Sequence, residues 1–110
     1  MNYNIIPVEK FRKEVKRLIK KYPSLQKELI ELNSELSTNP LTGTSLGSNI
    51  FKVRLLIKSK RKGKSGGARV ITYVVTENKE VYLLTIYDKS EIDSVDNKLL
   101  KDIIVSLNIK

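Results

Sequence analysis

Histidine and cysteine are both absent from the 110 residues of this chain. Without cysteine there can be no disulfide, no thiol nucleophile and no thiolate metal site. Without histidine the chain lacks the commonest general base and the commonest metal ligand of proteins. Any catalysis must therefore use lysine, arginine, tyrosine, aspartate or glutamate.

Long apolar runs are missing too. The first apolar pair, Ile5 and Ile6, is followed at once by Pro7 and charged residues, which leaves no apolar segment for a secretory signal. No stretch approaches the roughly 20 apolar residues of a membrane-spanning helix. We therefore expect a cytoplasmic protein with no membrane partner. Its length of 110 residues fits a single domain over 1–110.

Positive charge is abundant and unevenly distributed. The formal net charge is +9, and residues 47–75 contain 8 Lys/Arg and no Asp or Glu. A basic stretch of this kind favours a polyanionic partner such as RNA or DNA. The alternative is a solvated surface that only keeps the protein in solution.

The N-terminal half predicts one strand and two helices. Residues 3–6 form a short strand pattern that Pro7 closes, and two apolar stripes with helical spacing follow on either side of Pro23. Ser24 is the predicted N-cap of the second helix. The two stripes indicate an antiparallel helical hairpin whose apolar side chains form core. They consist of Phe11, Val15, Leu18, Ile19 and Tyr22, and of Leu25, Leu29, Leu32 and Leu36.

The C-terminal half predicts three strands and a helix. Residues 41–49 are rich in Gly, Ser and Thr and predict a loop, whereas 50–57, 68–75 and 81–87 have strand patterns. A basic loop over 59–67 joins the first two of these strands, and residues 94–109 predict a final helix. The order β-α-α-β-β-β-α predicts an α+β fold, an antiparallel sheet packed by the helical hairpin and the C-terminal helix.

Strand alternation places Lys52 and Arg54 on one face of their strand, about 7 Å apart along it. Arg69 begins the neighbouring strand, so pairing through the basic loop brings it close to them. Further basic residues crowd the same edge and are candidates for RNA or ribosome binding. They are Lys58, Lys60, Arg61, Lys62 and Lys64.

Such a cluster is suited to RNA cleavage, in which the 2′-OH attacks the adjacent phosphate. Arginine can stabilise the charged phosphorane with a permanently charged, forked donor. Lysine can transfer protons, because neighbouring cations disfavour the charged form of an ammonium group. Tyr73, Tyr82 and Tyr87 lie on the later strands and could transfer protons or stack on a base. The scheme requires no metal or other cofactor, and the sequence offers no convincing metal cluster.

From these residues alone, phosphate binding without chemistry is favoured over catalysis. Acidic side chains after the last strand are expected to supply helix-terminus charge and solubility, not acid–base chemistry. These are Asp88, Glu91, Asp93 and Asp96.

Three segments together resemble the RelE/ParE superfamily of bacterial type II toxins, most closely its HigB-like members. The segments are residues 51–54, 60–73 and 81–91, with the pattern K-G-K-x-G-G-x-R-[IV]-I-x-Y … Y-L-L-T-I-Y-x-K-x-E. The resemblance implies a RelE-like toxin domain and, as in the ribosome-dependent members, metal-independent cleavage of mRNA in the ribosomal A site. It also implies a cognate antitoxin partner, commonly a helix-turn-helix protein, besides mRNA and rRNA.

Carried over by position, the resemblance assigns phosphorane stabilisation to Arg54 and Arg69, and proton transfer to Lys52 or Lys89. Tyr87 and Tyr73 become candidates for stacking or proton transfer. Two departures leave the general base undefined. RelE carries a tyrosine shortly after its final basic residue, and residues 92–95 contain none here. Some HigB toxins use a histidine, which this chain lacks.

Two alternatives to the mRNA endonuclease remain open. ParE-type relatives share the fold and poison gyrase instead, although the dense cations of residues 52–69 exceed what that target requires. A non-catalytic RNA-binding module would show salt-sensitive RNA affinity without cleavage.

Overall fold

A computed structural model describes residues 2–58, 67–92 and 94–109 of the chain. Five strands form one sheet in the order β1-β5-β4-β3-β2. Strand β1 runs parallel to β5, and the other neighbouring strands are antiparallel. The elements in chain order are β1 (Asn4–Pro7), α1 (Glu9–Lys21), α2 (Leu25–Thr38), β2 (Thr44–Gly47), β3 (Ile50–Leu55), β4 (Ala68–Val75), a 3-10 turn (Thr76–Asn78), β5 (Glu80–Asp88) and α3 (Asn97–Ser106).

The predicted α+β architecture is confirmed, with one strand more than expected. The prediction of a loop over 41–49 is wrong in part, because β2 pairs with β3 there. A two-residue turn joins the two strands, and both of its residues, Ser48 and Asn49, have positive φ (53° and 64°), as in the tight turns of β-hairpins. All four residues of β2 are exposed, so the strand has none of the apolar alternation by which strands are found.

The helical hairpin of α1 and α2 covers one face of the sheet. The apolar side chains of both predicted stripes are buried or partly buried against strands β3, β4 and β5. Leu18, Leu25 and Leu36 are completely inaccessible to solvent. At about 25 cal/mol per Å² of apolar surface, this layer is a major source of stability.

Ser24 occupies the predicted N-cap position of α2 but makes no side-chain cap hydrogen bond. Its backbone is already helical, and its hydroxyl donates to Glu28 Oε2 at 3.2 Å instead. The predicted capping contact is therefore wrong.

Helix α3 covers part of the other face. Leu100 packs in a second apolar cluster with Ile71, Leu84 and Tyr87. The helix is shorter than the predicted 94–109. It begins after Asp96, whose carboxylate accepts a hydrogen bond from the backbone N–H of Lys98 at 3.0 Å, a typical N-cap.

Strand β5 contains a bulge opposite the junction of Ile71 and Thr72. The Glu14 carboxylate of α1 accepts hydrogen bonds there from Thr85 Oγ1 (2.7 Å) and from the N–H of Ile86 (3.2 Å). Helix α1 thus fixes the course of β5 just before its C-terminal end.

Among the helices in the described ranges, none combines the length and apolarity needed to cross a membrane.

Substitutions in α2 test the packing of the helical hairpin against the sheet. Leu36→Ala is expected to lower the free energy of unfolding by about 2–5 kcal/mol, because it leaves a cavity at a fully buried position. Ile30→Ala on the same helix, at a residue 62% exposed, should change it by less than about 0.5 kcal/mol. Urea denaturation of both variants measures the difference, and equal effects would contradict the packing described.

Candidate active site

Three basic residues are brought together by the register of β3 and β4. Arg54 lies directly opposite Arg69, and Arg69 lies opposite Tyr87 of β5. Lys52 lies two residues before Arg54 on the same face of β3. The second apolar cluster, which contains Leu100 of α3, lies on this same face of the sheet. Paired Cα atoms of antiparallel strands are about 4.5–5.5 Å apart, so the two arginines start from adjacent positions.

These side chains share a cavity of about 370 Å³, which we call the cation cavity. Among the residues that the structure describes, four cationic side chains line it and no carboxylate does. The strand geometry therefore gathers Lys52, Arg54 and Arg69, as the sequence predicted, and adds Lys89 from the end of β5. The described residues of the lining are Gly43, Thr44, Lys52, Arg54, Arg69 and Lys89.

Arg69 is the least accessible of the four. It is only 8% exposed, and its Nη1 donates to the carbonyl of Ala68 at 3.2 Å. Arg54 is exposed, whereas Lys52 and Lys89 are half-buried. The cavity thus combines one buried guanidinium with three more accessible cations.

Lys89 reaches the cavity because its backbone is attached to the start of β4. Its N–H donates to the carbonyl of Gly67 at 3.1 Å. Gly67 has a φ of +86°, and a Cβ there would lie 2.6 Å from the carbonyl oxygen of Leu55. Only glycine allows the ends of β3, β4 and β5 to approach this closely.

Gly43 and Thr44 form a wall of the cation cavity that sequence reasoning missed. Gly43 has a φ of +106°, and a Cβ there would lie 2.6 Å from the carbonyl oxygen of Lys52. Thr44 is the strand partner of Lys52. The only signal in the sequence is a glycine within a polar segment, which does not distinguish a cavity wall from a loop.

The tyrosine candidates lie outside the cavity lining. Tyr87 is 3% exposed and belongs to the second apolar cluster, beneath α3. Tyr73 is half-buried and packs against the same cluster. Their stacking or proton-transfer roles stay predictions. Tyr82 donates to Glu80 Oε1 at 2.8 Å, and burial followed by this hydrogen bond raises its pKa.

The predicted RNA-binding residues are only partly described. Lys58 is exposed, and its backbone N–H donates to the buried carboxylate of Glu28 at 2.7 Å. It lines a neighbouring cavity of about 320 Å³ that shares Arg54 with the cation cavity. The remaining basic candidates lie outside the described residues: Lys60, Arg61, Lys62 and Lys64.

The acidic residues at and beyond the end of β5 do more than supply surface charge. Asp88 is completely buried, so the expectation of a solubilising role is wrong for it. Glu91 bonds to Arg17 and Lys21 of α1, at 3.0 Å each. The hydrogen bond from Arg17, followed by that from Lys21, lowers the pKa of Glu91. Asp96 does serve a helix terminus, and Asp93 lies outside the described residues.

No group of three or more acidic side chains suited to holding a metal ion occurs among residues 2–58, 67–92 and 94–109.

Comparisons with known proteins agree with this architecture. The chain is similar to the E. coli toxin RelE, solved free as a double arginine-to-alanine mutant, with a TM-score of 0.59 and 17% identity over 84% of this chain and 90% of that chain. It is also similar to the toxin–antitoxin complex RelBE2 from Mycobacterium tuberculosis, with a TM-score of 0.56 and 18% identity over 78% and 96% of the two chains. No protein-family model matches. The chain has the RelE-like fold that its sequence predicts.

The facing arginines generate a prediction about stability. Like charges directly opposite on neighbouring strands are destabilising, so Arg54→Gln should raise the free energy of unfolding by about 0.2–1 kcal/mol at low salt. The gain should shrink at about 1 M salt, where the Debye length is only about 3 Å. Lys27→Gln, at an exposed position on α2, should give no gain. A loss of stability in Arg54→Gln at low salt would contradict mutual repulsion.

Glu91 generates a prediction about pH. A carboxyl group whose pKa is lowered in the folded protein stabilises it above the ordinary pKa of 4.5 and loses this effect as pH falls through the lowered value. The wild type should therefore exceed Glu91→Gln in unfolding free energy at neutral pH by less than about 1 kcal/mol, since solvent screens the pairs. The difference should vanish in acid. A difference that is independent of pH would contradict the ion pairs.

Proposed function

We propose that this protein is the toxin of a type II toxin–antitoxin system and acts as a ribosome-dependent, metal-independent mRNA endonuclease. Two observations support the proposal. The cation cavity supplies the charges that a phosphorane requires, and the fold is that of the toxin RelE. The cavity is the observation that carries the assignment, because a fold alone does not determine an activity.

The cavity differs from the rest of the charged surface. Basic residues of α1 have carboxylate partners, such as Glu14 for Lys10 and Glu91 for Arg17. Lys52, Arg54 and Arg69 have no ion pair to a carboxylate within the part of the chain that the structure describes. Cations held together without counter-ions are costly unless a ligand supplies the negative charge, and an RNA phosphate does so.

In the proposed reaction the 2′-oxygen of a nucleotide attacks the adjacent phosphorus, and the bond from phosphorus to the 5′-oxygen breaks. The products are a 2′,3′-cyclic phosphate and a 5′-hydroxyl. Arg54 and Arg69 stabilise the negative charge of the phosphorane. Lys52 and Lys89 are the candidates for accepting the 2′ proton and protonating the leaving oxygen. Water supplies no atom to this step, and no metal is needed to balance it.

The partners follow from the same proposal. The substrate is mRNA in the ribosomal A site, and the basic residues near the cavity contact mRNA or rRNA. A cognate antitoxin, of helix-turn-helix type, neutralises the toxin in the bacterial cytoplasm. The likeness to the RelBE2 toxin–antitoxin complex supports such a partner.

Cleavage of ribosome-bound mRNA by purified protein, with mapping of the new 5′ ends, tests the proposal. Lys52→Ala and Arg54→Ala should each reduce the rate by about 10²–10³-fold, the typical cost of removing one electrostatic stabiliser. Arg69 is left unchanged because it is 8% exposed, and its replacement would disturb packing. Lys27→Ala on α2 is the control and should cut normally.

Three outcomes would contradict the proposal. Intact mRNA under conditions in which a related toxin cuts would exclude the nuclease. Accumulation of cleaved DNA–gyrase complexes on expression, with mRNA untouched, would favour a gyrase poison. Salt-sensitive RNA binding without cleavage or growth arrest would favour a binding module.

A further inference from the structure

We propose that Asp88 is a positioning residue that holds Lys89 at the cation cavity, an assignment whose catalytic meaning rests on the proposed function. Asp88 is the last residue of β5, and Lys89 follows it into the cavity lining. Asp88 itself does not line the cavity, so any effect it has on a bound phosphate acts through its neighbour.

Both oxygens of the buried Asp88 carboxylate are hydrogen-bonded. Oδ2 accepts from the Tyr22 hydroxyl of α1 at 2.7 Å, and Oδ1 accepts from the N–H and the hydroxyl of Ser90 at 2.9 and 2.7 Å. The carboxylate thus joins the residue after Lys89 to the helical hairpin, across the core from the cavity.

The backbone around Lys89 is held at several further points. Its own N–H donates to Gly67, and the carbonyl of Asp88 accepts from the N–H groups of Glu91 and Ile92 at 2.9 and 3.0 Å. The result is a closed turn that begins at Asp88 and contains Lys89. Lysine loses considerable side-chain freedom when it is ordered, and a backbone fixed in advance reduces the additional cost of placing the ammonium group.

A buried carboxylate is an expensive way to close a turn. Removing a charge from water costs several kcal/mol unless hydrogen bonds compensate for it, and an asparagine could close a similar turn without that charge. The carboxylate is next in sequence to one of four clustered cations, where it also offsets part of their repulsion. The hydrogen bonds from Tyr22 and Ser90, and the Lys21 ammonium 4.0 Å from Oδ2, offset the cost of burial. The same contacts tie the turn that contains Lys89 to α1.

A double-mutant cycle tests the proposal with wild type, Asp88→Asn, Lys89→Ala and the double variant. The probe is a short 2′-O-methyl RNA oligonucleotide, which cannot be cleaved because its 2′-oxygen is blocked. Fluorescence anisotropy gives its affinity for each protein. Lys89→Ala should weaken binding roughly three- to tenfold in the wild-type background and by less than about twofold in the Asp88→Asn background, because interacting residues are not additive.

Two further variants separate positioning from a general loss of stability. Asp96→Ala removes the N-cap of α3 and lowers stability without touching Lys89, so its effect on affinity should be absent or simply additive with Lys89→Ala. Tyr22→Phe removes one donor to Asp88 and should reproduce the Asp88→Asn effect in weaker form. It replaces Asp88→Asn in the cycle if that variant does not fold.

The outcomes for this proposal and for the nuclease are distinct. Additive effects of Asp88→Asn and Lys89→Ala would overturn the positioning role, even if the wild type cleaves mRNA. Coupled effects in a protein that leaves ribosome-bound mRNA intact would support positioning and overturn the nuclease. Coupled effects together with cleavage, and a lower single-turnover cleavage rate in Asp88→Asn at saturating ribosome concentration, would support both.

Discussion

Strand pairing between β3 and β4 confines two arginines to directly opposite positions, and the rest of the structure has to sustain that repulsion. The backbones of Arg54 and Arg69 cannot separate without breaking the register of β3 and β4. Two apolar layers keep the register intact, one under the helical hairpin and one under α3. Because native proteins are only marginally stable, a like-charge pair held this way indicates a function that offsets its cost.

The sequence predicts the central part of the site because strand alternation is a strong constraint. A period of two places Lys52 and Arg54 on the face opposite Val53, and a short connection makes β3 and β4 neighbours, which brings Arg69 alongside. The helical stripes are found for the same reason, since burial imposes a period near 3.6. These features depend on local pattern, and local pattern can be read from one sequence.

What the sequence misses depends on distant contacts or on the absence of a pattern. Strand β2 is exposed along its length, so burial leaves no alternation to detect, and Gly43 and Thr44 remain hidden as cavity walls. One hydrogen-bond partner of Asp88, Tyr22, lies 66 residues away in the chain. Without knowledge of that contact, the sequence predicts that an aspartate at the end of a strand is exposed to solvent. The missed features are therefore those that only the tertiary structure defines.

The lack of histidine limits how the proposed mRNA cleavage would work. In that proposed reaction no imidazole is available, so stabilisation of the phosphorane charge by fixed cations is the main contribution expected. Preorganised electrostatics of this kind often lower the barrier of an enzymatic reaction more than any other effect. This contribution depends steeply on placement, since a displacement of about 1 Å can cost 10²-fold in rate. Arg69 gains its placement from burial and from its hydrogen bond to Ala68. Lys89 lies one residue beyond β5, where a single backbone hydrogen bond to Gly67 is its last connection to β4. A buried carboxylate would have most effect at this point, because it adds a connection from the following residue to α1.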